Sequence, residues 1–199
     1  MLKAQASEES ALGFNFVCTV RAFGGFRIES LSKKIDLVKR CTKKYYDAAI
    51  VLVGTIDLIS DDFEILTFLD RFKKLLLKLN NQLEPKCVVV IGYFPRAFCK
   101  KLSCDPGRCL YVHPGFGKNQ PVDLNIRISK VNKRINELIQ YDVRFQSFKF
   151  VDFCSRVFNL GTLRTSFGNF LSYDGLHLSN IGNEYVDKWL TKFLNDKEW

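Results

Sequence analysis

Nowhere in the 199 residues does an apolar run approach the roughly 18 consecutive residues that a membrane-spanning helix needs. The first ten residues, MLKAQASEES, hold no apolar segment of the kind that drives secretion. The expectation is a soluble, intracellular, cytoplasmic protein with no membrane partner. Histidine is scarce, at two residues, and the seven cysteines make an odd number. Without a secretory signal such thiols are expected to be reduced, which excludes a disulfide framework. The sequence also lacks a Pro- or Ser-rich linker, an internal repeat and a low-complexity tract, so it reads as one domain over residues 1–199.

What is present is globular usage: 47% hydrophobic residues, 26% charged residues and 18 Phe, enough apolar surface to build a substantial core. Lys and Arg exceed Asp and Glu by nine. Much of that excess falls on two candidate helices, as Lys33, Lys34, Lys39, Arg40, Lys43 and Lys44, then Arg71, Lys73, Lys74 and Lys78. Such faces attract polyanions, so nucleic acid is one possible partner. The plainer reading is that these are solvated faces of amphipathic helices, because charge alone carries no base readout.

Apolar spacing alternates between strand and helix. Phe14 to Val20, Ala48 to Val53, Cys87 to Ile91 and Phe148 to Val151 read as short strands, the middle two as continuous apolar runs. Between them lie helical stripes: Leu31, Ile35 and Val38; Ile65, Phe68, Leu69, Phe72, Leu75, Leu76 and Leu79; Leu124, Ile128, Val131, Ile135 and Leu138. Tyr185, Val186, Trp189, Leu190 and Phe193 mark a last helix. Continuous apolar strands separated by amphipathic helices imply a mainly parallel sheet covered on both faces, an α/β fold of three layers. In such sheets chemistry gathers in the loops beyond the carboxyl ends of the strands.

Three loops there carry motifs: Val53-Gly54-Thr55-Ile56-Asp57-Leu58, Gly92-Tyr93-Phe94-Pro95-Arg96, and Tyr173-Asp174-Gly175-Leu176-His177-Leu178-Ser179-Asn180-Ile181-Gly182. Asp174 and His177 are three apart, so the carboxylate can accept from the imidazole and leave the other ring nitrogen free as a base. Alternatively Asp174 caps the following turn and His177 is an ordinary partly buried ring. Asp174-Gly175-Leu176-His177-Leu178-Ser179-x-x-Gly182 resembles the last block of the SGNH (GDSL-like) ester hydrolases, which supplies the acid and base of their triad. Val53-Gly54-Thr55-Ile56-Asp57-Leu58 resembles the family's V-G-x-N-D-L block. Phe23-Gly24-Gly25-Phe26-Arg27-Ile28 resembles its glycine block, and VVVIGYFPR resembles a strand and loop of GDSL-like domains associated with retroelements. The resemblance spans residues 17 to 190, in the family's order.

That resemblance implies a flavodoxin-like three-layer domain, with Asp174 and His177 as catalytic residues and Gly25 and Gly54 as oxyanion donors. It further implies a small acyl ester as substrate and no cofactor. Two departures set this chain apart. The family's nucleophile stands in a Gly-Asp-Ser turn after the first strand, and this sequence has no such turn. Ser7 and Ser10 lie in a polar stretch with no apolar strand before them, so neither has the strand-to-helix turn that exposes a nucleophile. The expected serine falls at or just before Met1, which suggests a reading frame starting after the lost turn and a first strand left out. Second, Ile56 replaces the family's oxyanion-binding Asn. The expectation is therefore an esterase-like domain without activity of its own, or else a non-catalytic nucleic-acid or protein-interaction module of a mobile element.

Cys99, Cys104, Cys109 and His113 could close a tetrahedral zinc site. The competing and favoured reading is a set of reduced thiols in a basic loop. Metal analysis of protein purified without chelator separates the two. No bound zinc is expected; about one zinc per chain, lost on changing Cys104 and Cys109 to Ser, would establish the metal site instead.

Overall fold

The structure, a computed structural model, describes residues 26–41, 46–96, 121–152, 170–172 and 177–195. Helix α1 (Ile28–Cys41) leads to strand β1 (Ala48–Val51), the single turn α2 (Thr55–Leu58), the long helix α3 (Ile65–Leu83) and strand β2 (Cys87–Ile91). Helix α4 (Pro121–Tyr141), a 3₁₀ turn (Val143–Phe145), strand β3 (Phe148–Val151) and helix α5 (Asn180–Asn195) complete the order. The strand expected at Phe14 to Val20 lies outside the described residues. No described helix is long and apolar enough to cross a membrane.

The three strands form a parallel sheet in the order β1-β2-β3. Register pairs Val51 with Val90 and Val90 with Phe150, so the residues on each face can be followed across the sheet. Val51, Val53, Val88, Val90 and Phe148 face one core with residues of α1, α3 and α4. Cys87, Val89, Ile91 and Val151 face the other, packed by Val186, Trp189, Leu190 and Phe193 of α5. The fold is thus α/β, consistent with a sandwich of helices about a parallel sheet. β2 is buried at all five positions, which is why its sequence is unbroken apolar. On the α5 side of β1, Ile50 and Leu52 keep 45% and 51% of their surface exposed.

The α3 helix begins where the Glu64 carboxylate accepts from the backbone N–H of Leu66 (2.8 Å) and of Thr67. It ends at Glu84, whose left-handed backbone is followed by Pro85, which cannot continue a helix. Its buried stripe of Phe68, Phe72, Leu75, Leu76 and Leu79 is the one the spacing predicts. Each such side chain contributes about 1.5–3 kcal/mol on burial. Lys78 ties α3 to α1 through the carbonyl of Ser32 (2.7 Å) and the carboxylate of Asp36 (2.8 Å). Lys73 binds Asp142 beyond the end of α4 at 2.9 Å. The Arg144 guanidinium, and after it Lys73, hold the Asp142 carboxyl well below the usual carboxylate range. A carboxyl depressed in this way stabilises the fold above its unfolded-state value and loses that contribution as pH falls through the depressed one.

Helix α4 also anchors the chain that leaves β2. Asn132 Oδ1 accepts from the Tyr93 N–H at 2.8 Å while its Nδ2 donates to the Tyr93 carbonyl at 3.0 Å. Asn125 does the same for Arg96, at 2.7 and 2.9 Å. Seven residues of helix rise about 10.5 Å, and three residues of nearly extended chain reach about 10 Å. The spacings agree, so residues 93–96 can run antiparallel to α4 with two amide side chains in place of a neighbouring strand. Both asparagines are buried. Replacing Asn132 by Ala strands a buried N–H and a buried carbonyl, so the expected loss is roughly 2–5 kcal/mol, read from urea unfolding as a lower midpoint at unchanged slope. A loss below about 0.5 kcal/mol would mean that these groups find other partners.

Candidate active site

Beyond the carboxyl ends of β1 and β2 lies a cleft of about 490 Å³. Val53, Gly54, Thr55 and Ile56 form one wall, Phe94 and Arg96 another, and His177, Leu178 and Asn183 a third, with Phe26 and Leu52 completing the lining. Of the residues singled out in the sequence, Gly54 and His177 are brought to this common cleft, and Ile56 is beside them. Asp174 and Gly25 lie outside the described residues, as do Cys99, Cys104, Cys109 and His113. A second pocket, of about 320 Å³, lies at the end of α4 around Asn136, Asp142 and Phe145, among none of the candidate residues.

The turn at Gly54 has a specific structural cause. Its φ is +103°, in the region that favours glycine. A Cβ there would lie 2.6 Å from the Tyr93 hydroxyl and 3.1 Å from Ile28 Cδ1. That hydroxyl donates to the carbonyl of Val53, tying the β1 loop to the β2 loop. Burial pushes the Tyr93 phenol well above its ordinary value, and Asp57 adds to the shift, so the group stays a neutral donor. Asp57 is itself buried and accepts from the Ile28 N–H, the first of α1, at 3.0 Å. The Asp of the V-G-x-N-D-L resemblance therefore caps the neighbouring helix. From the other side Arg127 of α4 donates to the carbonyls of Leu58 (2.6 Å) and Ser60 (3.3 Å), its guanidinium 4.7 Å from the centre of the Phe63 ring.

The His177 arm is built just as locally. Leu171 and Leu178 form an antiparallel bridge, with Ser172 N–H donating to the His177 carbonyl at 2.7 Å and Ser179 N–H to that of Phe170 at 2.8 Å. Ser179 then caps α5, its Oγ accepting from the Gly182 N–H at 3.1 Å. Gly182 is dictated by closeness: a Cβ there would be 2.3 Å from the Phe170 carbonyl oxygen. Ser179 and Gly182 of the last motif thus hold the arm on which His177 stands.

The sequence marks the loop Gly92-Tyr93-Phe94-Pro95-Arg96 by its place beyond a strand end, but it gives Phe94 and Arg96 no role and does not mark Asn132 and Asn125 as the anchors of Tyr93 and Arg96. The available signal is a pair of Asn seven apart within the apolar stripe of α4, where polar side chains need partners. Lys33, Lys73, Lys74 and Lys78, part of the apparent basic surface, each pair with a carboxylate.

Gly54→Ala combines a strained φ with a clash, and is expected to cost roughly 1–3 kcal/mol or more. In a Tyr93→Phe background the same change should cost less, since the colliding oxygen is gone, leaving a coupling of roughly 1 kcal/mol. Urea unfolding of the four proteins of this cycle measures it, and strict additivity would mean that the hydroxyl is not what constrains Gly54.

No family model matches the chain, and no curated protein does. Among solved structures, the chain is similar to a protein from Streptococcus pneumonia described as a "putative platelet activating factor". The TM-score is 0.60 at 19% identity, over 85% of this chain and 69% of that one, which is a likeness of fold.

Proposed function

We propose that this is an ester hydrolase domain of the SGNH type in architecture, in which the residues given contain the base but no Gly-Asp-Ser turn. The observation that carries the reading is the meeting of Gly54 and His177 in one cleft at the carboxyl end of a parallel sheet. In the chemistry this implies, a serine hydroxyl attacks the ester carbonyl and His177 takes its proton. The imidazolium then returns that proton to the departing alkoxide, and water with His177 as base releases the acyl group. Asp174 orients the imidazole, and the N–H groups of Gly25 and Gly54 receive the developing oxyanion. No Gly-Asp-Ser turn stands in the sequence given, and Ile56 offers the oxyanion no side-chain donor.

Hydrolysis of p-nitrophenyl acetate tests the reading. The chain itself should show no turnover that depends on His177. A longer form, preceded by an apolar strand ending in Gly-Asp-Ser, should gain turnover that is lost with His177→Ala. In that form Ile56→Asn should raise the rate about a hundredfold to a thousandfold by restoring a donor. Turnover by the unextended chain that disappears with His177→Ala would mean that another nucleophile is in place. Silence in every form, with salt-sensitive binding to RNA or DNA, would favour the nucleic-acid module instead.

A further inference from the structure

Val53 and Gly54 are joined by one peptide, and a trans peptide is planar, so its carbonyl and its N–H point to opposite sides. The carbonyl of that peptide accepts from the Tyr93 hydroxyl. Tyr93 is 2% exposed, in the core and not among the residues lining the cleft. The Cβ direction of Gly54 is turned the same way, toward that hydroxyl and Ile28. The carbonyl of Gly54 itself is taken by the Leu58 N–H at 3.0 Å. What Gly54 presents to the cleft it lines is therefore its N–H, on the side away from Tyr93, and no described residue accepts from it. Asn132 of α4 holds the backbone of Tyr93 at both polar groups, so the tyrosine that sets the peptide is itself fixed. A hydrogen bond to the carbonyl also polarises the amide and makes its N–H a better donor.

We propose that Tyr93 is a positioning residue for the oxyanion site: its hydroxyl locks the Val53–Gly54 peptide, which aims the Gly54 N–H into the cleft before any ligand arrives. The inference rests on the ester-hydrolase reading, which gives that N–H its task. Without the hydroxyl the peptide plane is free to turn, and a hydrogen bond weakens steeply as its angle falls. With Ile56 in place of a side-chain donor, the aim of this backbone donor matters more.

The test uses the chain as it is, with acetate as a small oxyanion, added at constant ionic strength and followed by the backbone NMR signals of Val53 and Gly54. Acetate should move the Gly54 amide signal saturably. Tyr93→Phe should weaken acetate binding roughly two- to tenfold. The same variant should shift the Val53 carbonyl carbon and the Gly54 amide with no acetate present, the signature of the lost bond. A merely structural role is tested with Leu79→Ala, a core change near the end of α3, which lowers stability yet should leave acetate binding as it was. A Gly54 amide unmoved by acetate in the unaltered chain would overturn the inference, whatever the variants do. Equal affinity in the unaltered chain and in Tyr93→Phe would overturn it too, as would an equal loss in Leu79→Ala. The ester reading is judged apart, by the His177-dependent turnover of the longer form. Absence of that turnover would overturn the reading and with it the catalytic task of the donor, though not the positioning of Gly54 by Tyr93.

Discussion

A strand leaving the middle of a buried sheet must satisfy its backbone polar groups before it reaches water, and here the chain after β2 does so on a helix. Asn125 and Asn132 each offer one acceptor and one donor to a single residue of the passing chain, Arg96 and Tyr93. The rest of the cleft depends on that arrangement. It carries Phe94 and Arg96 to one wall and sets Tyr93 where its hydroxyl holds the Val53 carbonyl. That in turn leaves Gly54 no room for a side chain. The same helix fixes the far end of the β1 loop through Arg127. Both loops that frame the cleft are therefore referred to one rigid element, α4, which is what a site needs if its groups are to keep their geometry.

The motif residues accordingly divide into two kinds. Asp57, Gly54, Ser179 and Gly182 are explained by what they do for the backbone: a helix cap, a positive φ, another cap, a close approach. His177 holds the arm through its backbone carbonyl and also lines the cleft.

Legibility in the sequence follows the same physical division. The helical stripes and the two continuous apolar strands are plain, because burial on one or two faces writes a period directly into residue type. The apolar run suggests a β1 that continues to Val53, two residues beyond its last ladder pair, because apolar residues carry on past the sheet into the cleft wall. Gly54 and His177 are recoverable from motif and placement. Arg96 is not, since nothing in a single Arg after a Pro says that it is buried; what says so is the pair of Asn on α4, whose partners are 29 and 39 residues away. Long-range pairing of this sort leaves no local period.

The charge of the molecule looks different once the contacts are known. As sequence, the lysines of α1 and α3 read first as solvated helix faces, with a polyanion-binding surface as the alternative. In the fold, Lys73 and Lys78 are the means by which α3 is fastened to Asp142 and to α1. Exposed pairs such as Lys33 with Glu29 and Lys74 with Asp70 are screened and individually weak, but each one cancels a charge locally. Arg96, by contrast, is nearly buried, and its backbone is held at both polar groups by Asn125. A net charge counted along a chain weighs all of these equally, whereas binding depends on which charge is desolvated and held still.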